Sequence, residues 1–160
     1  MLDGGLQAWP GELSTQEVRP EPGDFTAKAP REGMKAGYEE LRGDRAGLVL
    51  LDARAPERFR GDVEPIDPRA GHIPGARNRP WQANLDEHGR FLAPERLRKH
   101  FDELGVRLGS EAVSYCGSGV SACHTLLALE LAGLPSGRLY PGSWSDWSTR
   151  PEAPAATGPA

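Results

Sequence analysis

Ala112-Val113-Ser114-Tyr115-Cys116-Gly117-Ser118-Gly119-Val120-Ser121-Ala122 places three local signals side by side. An apolar, strand-like run ends at a cysteine and a tight glycine loop follows. Ala122 to Leu131 then stays apolar nearly all round, the composition of a buried helix. Cys116 is therefore expected at a strand's carboxyl end. In open α/β sheets that edge collects ligands, because loop N–H groups and the positive end of a helix dipole stabilise anions there. A thiolate in that position is expected to have a lowered pKa, and the thiolate rather than the thiol is the nucleophile. The same cradle would stabilise a persulfide anion. Gly117 and Gly119 permit backbone conformations that a side chain would obstruct. The other reading is a buried structural cysteine beside a turn, since free cysteine is among the most buried residue types.

Leu48-Val49-Leu50-Leu51-Asp52-Ala53-Arg54 is a continuous apolar run ending in two charges, as a buried parallel strand does. Lys35 to Arg42 reads as a short helix and Pro56 to Gly61 as a helical turn with proline near its start. Asp62 to Pro74 is a proline-punctuated loop, and Ala76 to Trp81 a short strand. Pro94 to Leu104 carries Leu97, Phe101 and Leu104 at helical spacing and is closed by Gly105. A further short strand is expected around Arg138 to Tyr140. Strands alternating with helices, with charges at strand ends, predict an α/β fold with a largely parallel central sheet and helices on both faces.

Pro10 to Arg31 has linker composition, with Pro10, Pro20, Pro22 and Pro30 among charged and small residues. The compact domain is expected over residues 34–150, and the Ala/Pro-rich segment 151–160 is expected to be a disordered tail. At 160 residues the chain is long enough for one domain with a real core. A net charge of −4 gives no general attraction to nucleic acid or to an anionic membrane surface, so neither is expected as a partner. Cys116 and Cys123 cannot build a disulfide framework, and nothing near Met1 resembles a signal peptide; a reducing cytoplasm fits these features. No apolar stretch is long enough to span a bilayer. Cys116, Cys123 and His124 lack the second paired ligand set of a metal site, and no metal or organic cofactor is implied.

Gly4-Gly5-Leu6-Gln7-Ala8-Trp9 reads like Gly142-Ser143-Trp144-Ser145-Asp146-Trp147. The economical explanation is that residues 1–33 hold the end of a preceding repeat plus a linker, followed by one complete repeat.

These motifs together resemble the C-terminal catalytic half of tandem-domain rhodanese-type sulfurtransferases. The resemblance covers roughly residues 34–150. It is carried by Leu51-Asp52-Ala53-Arg54, Glu57-Arg58-Phe59-Arg60-Gly61, Gly71-His72-Ile73-Pro74-Gly75-Ala76, the loop Cys116 to Ser121, and Tyr140-Pro141-Gly142-Ser143-Trp144. It implies a rhodanese-like fold and a two-step transfer in which a cysteine takes sulfane sulfur from a donor and passes it to a thiol, cyanide or protein-cysteine acceptor. Cys116 matches the nucleophile, with Gly117, Ser118, Gly119, Val120 and Ser121 as the anion cradle. Within the family, loops of the Cys-Gly-Ser-Gly-Val type resemble 3-mercaptopyruvate enzymes, whereas thiosulfate enzymes carry cations in the loop. The resemblance also implies a preceding rhodanese domain that would complete the cleft.

Arg58 matches the family's substrate-carboxylate arginine; without the resemblance, the residue reads first as a surface cation on a short helix. The second arginine of mercaptopyruvate enzymes is replaced here by Asp67, nine residues after Arg58, and Arg69 is the candidate to reach the same space. Ser121 keeps a hydroxyl at the helix start, able to cap it or to hydrogen-bond the sulfur. Asp52 and Arg54 read as a structural pair supporting the loop, and His72 as a hydrogen-bonded structural histidine rather than an acid/base. Trp144 and Trp147 are read as pocket walls or core, and Cys123 as a buried small hydrophobe. Two rivals compete with the enzyme reading. A cysteine phosphatase would need Cys-x5-Arg, but Ala122 occupies the arginine's place. A noncatalytic rhodanese-like interaction module would not be expected to keep the cysteine and its glycine loop.

Overall fold

The computed structural model describes residues 2–29 and 33–159. Its centre is a four-stranded sheet in the order β2-β1-β3-β4, every pairing parallel. β1 spans Leu48–Asp52, β2 Arg77–Asn78, β3 Glu111–Tyr115 and β4 Arg138–Leu139. β1 and β3 pair along their whole lengths, Leu48 opposite Glu111 and Asp52 opposite Tyr115. That register brings Asp52 and Cys116 to the same carboxyl edge.

Successive residues of a strand face opposite sides of a sheet, and the core divides accordingly. Leu50, Val113 and Tyr115 pack on one face with Leu41, Phe59, Ile73, Trp144 and Trp147. They meet helices α1 (Tyr38–Arg42), α2 (Pro56–Arg60) and α5 (Ser143–Trp147). Leu51 and Ala112 pack on the other with Leu97, Phe101, Val106 and Leu129. Those come largely from α3 (Pro94–Glu103) and α4 (Val120–Leu131). Both faces of the sheet are thus covered, which explains why β1 reads as unbroken apolar sequence.

Local chemistry sets several boundaries. α2 and α3 each begin with proline, whose fixed φ and missing N–H suit a helix's first turn. α2 stops at Gly61, which adopts φ 81°. Residues 9–29 are exposed throughout and contain no helix or strand. Ahead of them, Gly5–Ala8 forms a single 3-10 turn, and Asp3 Oδ1 accepts a hydrogen bond from the Phe91 N–H at 3.0 Å.

Two expectations need correcting. The described part of the segment expected to be a disordered tail is packed on the domain: Ala153 is buried, and His72 and Ala156 exchange both backbone hydrogen bonds. Trp147 Nε1 donates to the Pro154 carbonyl at 2.7 Å. A Cβ at Gly71 would lie 2.4 Å from the Ala156 carbonyl oxygen, so this close approach requires glycine. The composition of the segment gives no sign of these partners, because they lie far away in sequence.

α4, in turn, is buried on one side only. Val120 is 76% exposed, Leu131 is partly open, and Cys123 is exposed rather than a core residue. An apolar helix packed as a single outer layer leaves part of its apolar surface uncovered. Cys123 Sγ donates to the Gly119 carbonyl one turn earlier, at 3.3 Å.

Candidate active site

Cys116 immediately follows β3, is buried, and lines a cleft of about 260 Å³. The loop Gly117–Gly119 wraps the sulfur, and the Gly119 N–H donates to Sγ at 3.2 Å. Gly119 adopts φ 86°, and a Cβ there would lie 2.9 Å from the Pro141 carbonyl oxygen, so both conformation and space call for glycine. The twelve-residue helix α4 starts at the next residue and directs its positive end toward this loop. Backbone N–H and helix start together make an anion-binding arrangement around the sulfur.

α5 fixes the loop from behind. The Cys116 carbonyl accepts from the Trp144 N–H and the Gly117 carbonyl from the Ser145 N–H, each at 2.9 Å. Ser143 Oγ accepts from the Cys116 N–H at 3.1 Å and donates to the Tyr140 carbonyl at 2.9 Å. Ser143 is fully buried and holds φ 54°, an uncommon conformation for a residue with a side chain. Sequence reading did not single it out. The signal available was its place in Tyr140-Pro141-Gly142-Ser143-Trp144, a motif read as a whole. Trp144 and Trp147 are completely buried in the core and do not wall the cleft; Trp81 does.

At the cleft wall, which Arg54 lines, Asp52 and Arg54 form a buried hydrogen-bonded pair. Arg54 Nη2 lies 2.7 Å from Asp52 Oδ2 and 2.7 Å from the Gly71 carbonyl. Nη1 reaches Glu64 Oε2 at 3.3 Å, and the guanidinium lies 4.8 Å from the centre of the Trp144 ring. Burial alone would lower the Arg54 pKa, but Asp52 more than offsets it and the net direction is upward. His72 is buried, stacked on Phe59 at 3.7 Å between ring centres, and its Nδ1 donates to the Phe59 carbonyl at 2.7 Å. It lies outside the cleft lining.

The cleft rim comes from α2 and the loop after it. Arg58 donates from Nε and Nη2 to Glu64, at 3.3 and 2.6 Å, and from Nη2 to Asp67 at 3.0 Å. Burial would push the Glu64 carboxyl up, yet bonds from Arg58 and from the Asp67 and Ile66 N–H groups hold it below the ordinary carboxylate range. Ser118 and Ser121 line the cleft with Ser145, and Val120 points away from it. Ser121 does not cap α4. Arg69 must be struck from the substrate-binding candidates. Its guanidinium donates to the carbonyls of Trp147, Ser148, Arg150 and Ala153, which ties the C-terminal segment down, and Arg69 is not among the residues lining the cleft. The loop that holds Asp67 against Arg58 carries Arg69 in the other direction.

A parallel α/β domain with a cysteine loop at the carboxyl edge of its sheet is the class that fold and site define. A family model described as "Rhodanese-like domain" matches residues 36–150. The chain belongs to the rhodanese-like family.

It is 51% identical over 164 residues to a "Probable 3-mercaptopyruvate sulfurtransferase" of Pseudomonas aeruginosa, covering 99% of this chain and 57% of that protein. It is 42% identical over 165 residues to a "Putative thiosulfate sulfurtransferase SseB" of Mycobacterium tuberculosis, covering 100% of this chain and 58% of that one. The chain therefore spans little more than half the length of these curated relatives. The solved wild-type structure of EanB shares the fold, with a TM-score of 0.85 at 22% identity over 99% of this chain and 41% of that one.

Proposed function

We propose that this domain is a sulfurtransferase that carries sulfane sulfur on Cys116, with 3-mercaptopyruvate as the favoured donor. The observation that carries the reading is the buried Cys116 at the wall of the cleft, with a backbone N–H donating to its sulfur and a helix start directed at its loop. Both cysteines are free thiols, which suits a reducing compartment such as the cytoplasm.

In the first half-reaction the Cys116 thiolate attacks the donor sulfur. The S–C bond of 3-mercaptopyruvate breaks, its electron pair leaves on the enolate, and protonation at carbon gives pyruvate. Cys116 is left as a persulfide whose negative form the loop stabilises. In the second, an acceptor thiolate or cyanide attacks the outer sulfur and the Cys116 thiolate returns. Arg58 is the donor-binding cation of this scheme. Asp52 and Arg54 hold the floor, and Ser118 and Ser121 offer hydroxyls to the bound donor. A preceding rhodanese domain, of the kind the relatives' lengths allow, would close the cleft from the other side.

Thiosulfate is the second reading, favoured by the name of one relative. A loop without cations argues against it, because a dianion gains little from Gly117 and Ser118. The deciding experiment is intact-mass detection of the Cys116 persulfide after exposure to each donor, with Cys116→Ser as control. Persulfide from 3-mercaptopyruvate, absent in the control, supports the proposal. Persulfide from thiosulfate alone reverses the donor assignment, and none from either leaves the domain a noncatalytic module or one that requires a partner domain.

A further inference from the structure

We infer that Asp67 sets donor specificity by competing for Arg58, so that it disfavours anionic donors and the dianion most of all. The inference rests on reading the cleft as the donor site.

A guanidinium presents its five N–H groups as two forks, either able to hold a carboxylate through two parallel bonds. Glu64 occupies the fork made by Nε and Nη2 of Arg58. Asp67 Oδ2, at 3.0 Å, takes the remaining hydrogen of Nη2, which is half of the other fork. Nη1 alone makes no hydrogen bond among the described residues. It also faces the cleft: a Cβ built on Gly117 would lie 3.6 Å from Nη1 and 3.9 Å from Nη2. A donor carboxylate beside Cys116 thus meets one nitrogen, and two-point binding requires Asp67 to release Arg58.

The charge balance points the same way. Asp52, Glu64 and Asp67 surround Arg54 and Arg58, three carboxylates against two cations, with the side chains of Glu64 and Asp67 nearly buried. The remaining lining is neutral, with Ile66, Trp81, Gln82 and the three serines. A monoanion can still use Nη1, whereas a dianion brings a second charge into a cleft whose only lining cations among the described residues are the already paired Arg54 and Arg58. At these separations one carboxylate removed from a partly buried rim should change anion affinity about tenfold, or about 1.4 kcal/mol.

The test begins with binding, because it does not need turnover. In the Cys116→Ser protein, Asp67→Asn should tighten pyruvate about tenfold by calorimetric titration, and the gain should vanish when Arg58→Gln is added. Asp67→Ser should act in the same direction if asparagine perturbs folding, which thermal unfolding reports. In the Cys116 protein, Asp67→Asn should lower KM for 3-mercaptopyruvate, lower it further for thiosulfate, and leave the uncharged amide of 3-mercaptopyruvate unmoved. Unchanged or weaker pyruvate binding, an equal gain in the Arg58→Gln background, or an equal shift for the amide would overturn the inference. Tighter pyruvate binding without persulfide in any variant would uphold the competition at Arg58 and place the failure in the sulfur-transfer reading of this domain by itself.

Discussion

The segment just after β1, which carries Arg54, and helix α2, which carries Arg58, share the Glu64 carboxylate and use it differently. Arg54 is 2% exposed in its side chain, and Asp52, Glu64 and the Gly71 carbonyl occupy all three of its nitrogens. Arg58 is 16% exposed and keeps one nitrogen open beside the nucleophile loop. Both arginines lie next to the cysteine, so proximity does not separate the structural cation from the ligand-binding one. Engagement does: every nitrogen of Arg54 is already bonded to the protein, so it has less to offer a substrate than Arg58 with its open Nη1.

The comparison is broken most directly at the more fully engaged member. Arg54→Leu leaves Asp52 buried without its partner and should cost about 3–5 kcal/mol of stability, read by chemical denaturation. A loss below about 1 kcal/mol would mean that the pair is dispensable and that the contrast with Arg58 is false. The wall behind the loop ranks next. Ser143→Ala removes the acceptor from the Cys116 N–H and should cost about 1–3 kcal/mol, with slower persulfide formation. Unchanged stability and rate would show that α5 does not hold the loop.

Arg58→Leu is expected to reverse the pattern of Arg54→Leu. Stability should fall less than for Arg54→Leu, by about 1.5–3 kcal/mol, because Glu64 keeps Arg54 as a partner, while KM for a carboxylate donor rises at least about tenfold. A large loss of stability with no change in KM would move Arg58 into the structural class. The smallest effect is a pH dependence remote from both arginines. Burial, and for His100 also the neighbouring Arg79, lowers the pKa values of His100 and His124. Below about pH 6.5 the unfolded chain therefore binds protons that the folded protein resists, and stability should decline as pH falls from 7 toward 5. His124→Asn should flatten that decline in thermal unfolding. Glu64, held below its ordinary range, keeps its charge over that interval, so the arginine pair should be unaffected.

What the sequence determined by itself is the part of the molecule written in neighbouring residues. The period of the apolar positions, prolines at helix starts and the glycines around Cys116 specify strand, loop and helix within short windows, so β3, the loop and α4 were legible. Asp52 and Arg54 are two residues apart at the end of one strand, and one turn of chain suffices to pair them. The tertiary structure alone decided where the long side chains go. Arg69 reaches carbonyls 78 to 84 positions away. His72 pairs with Ala156, Ser143 holds Cys116, and Asp67 meets Arg58 only because the loop after α2 folds back on it. An arginine's reach and charge are the same in a substrate cleft and in a structural clamp. Which of the two it serves depends on the acceptors that distant segments bring to it, and those are fixed only when the chain closes on itself.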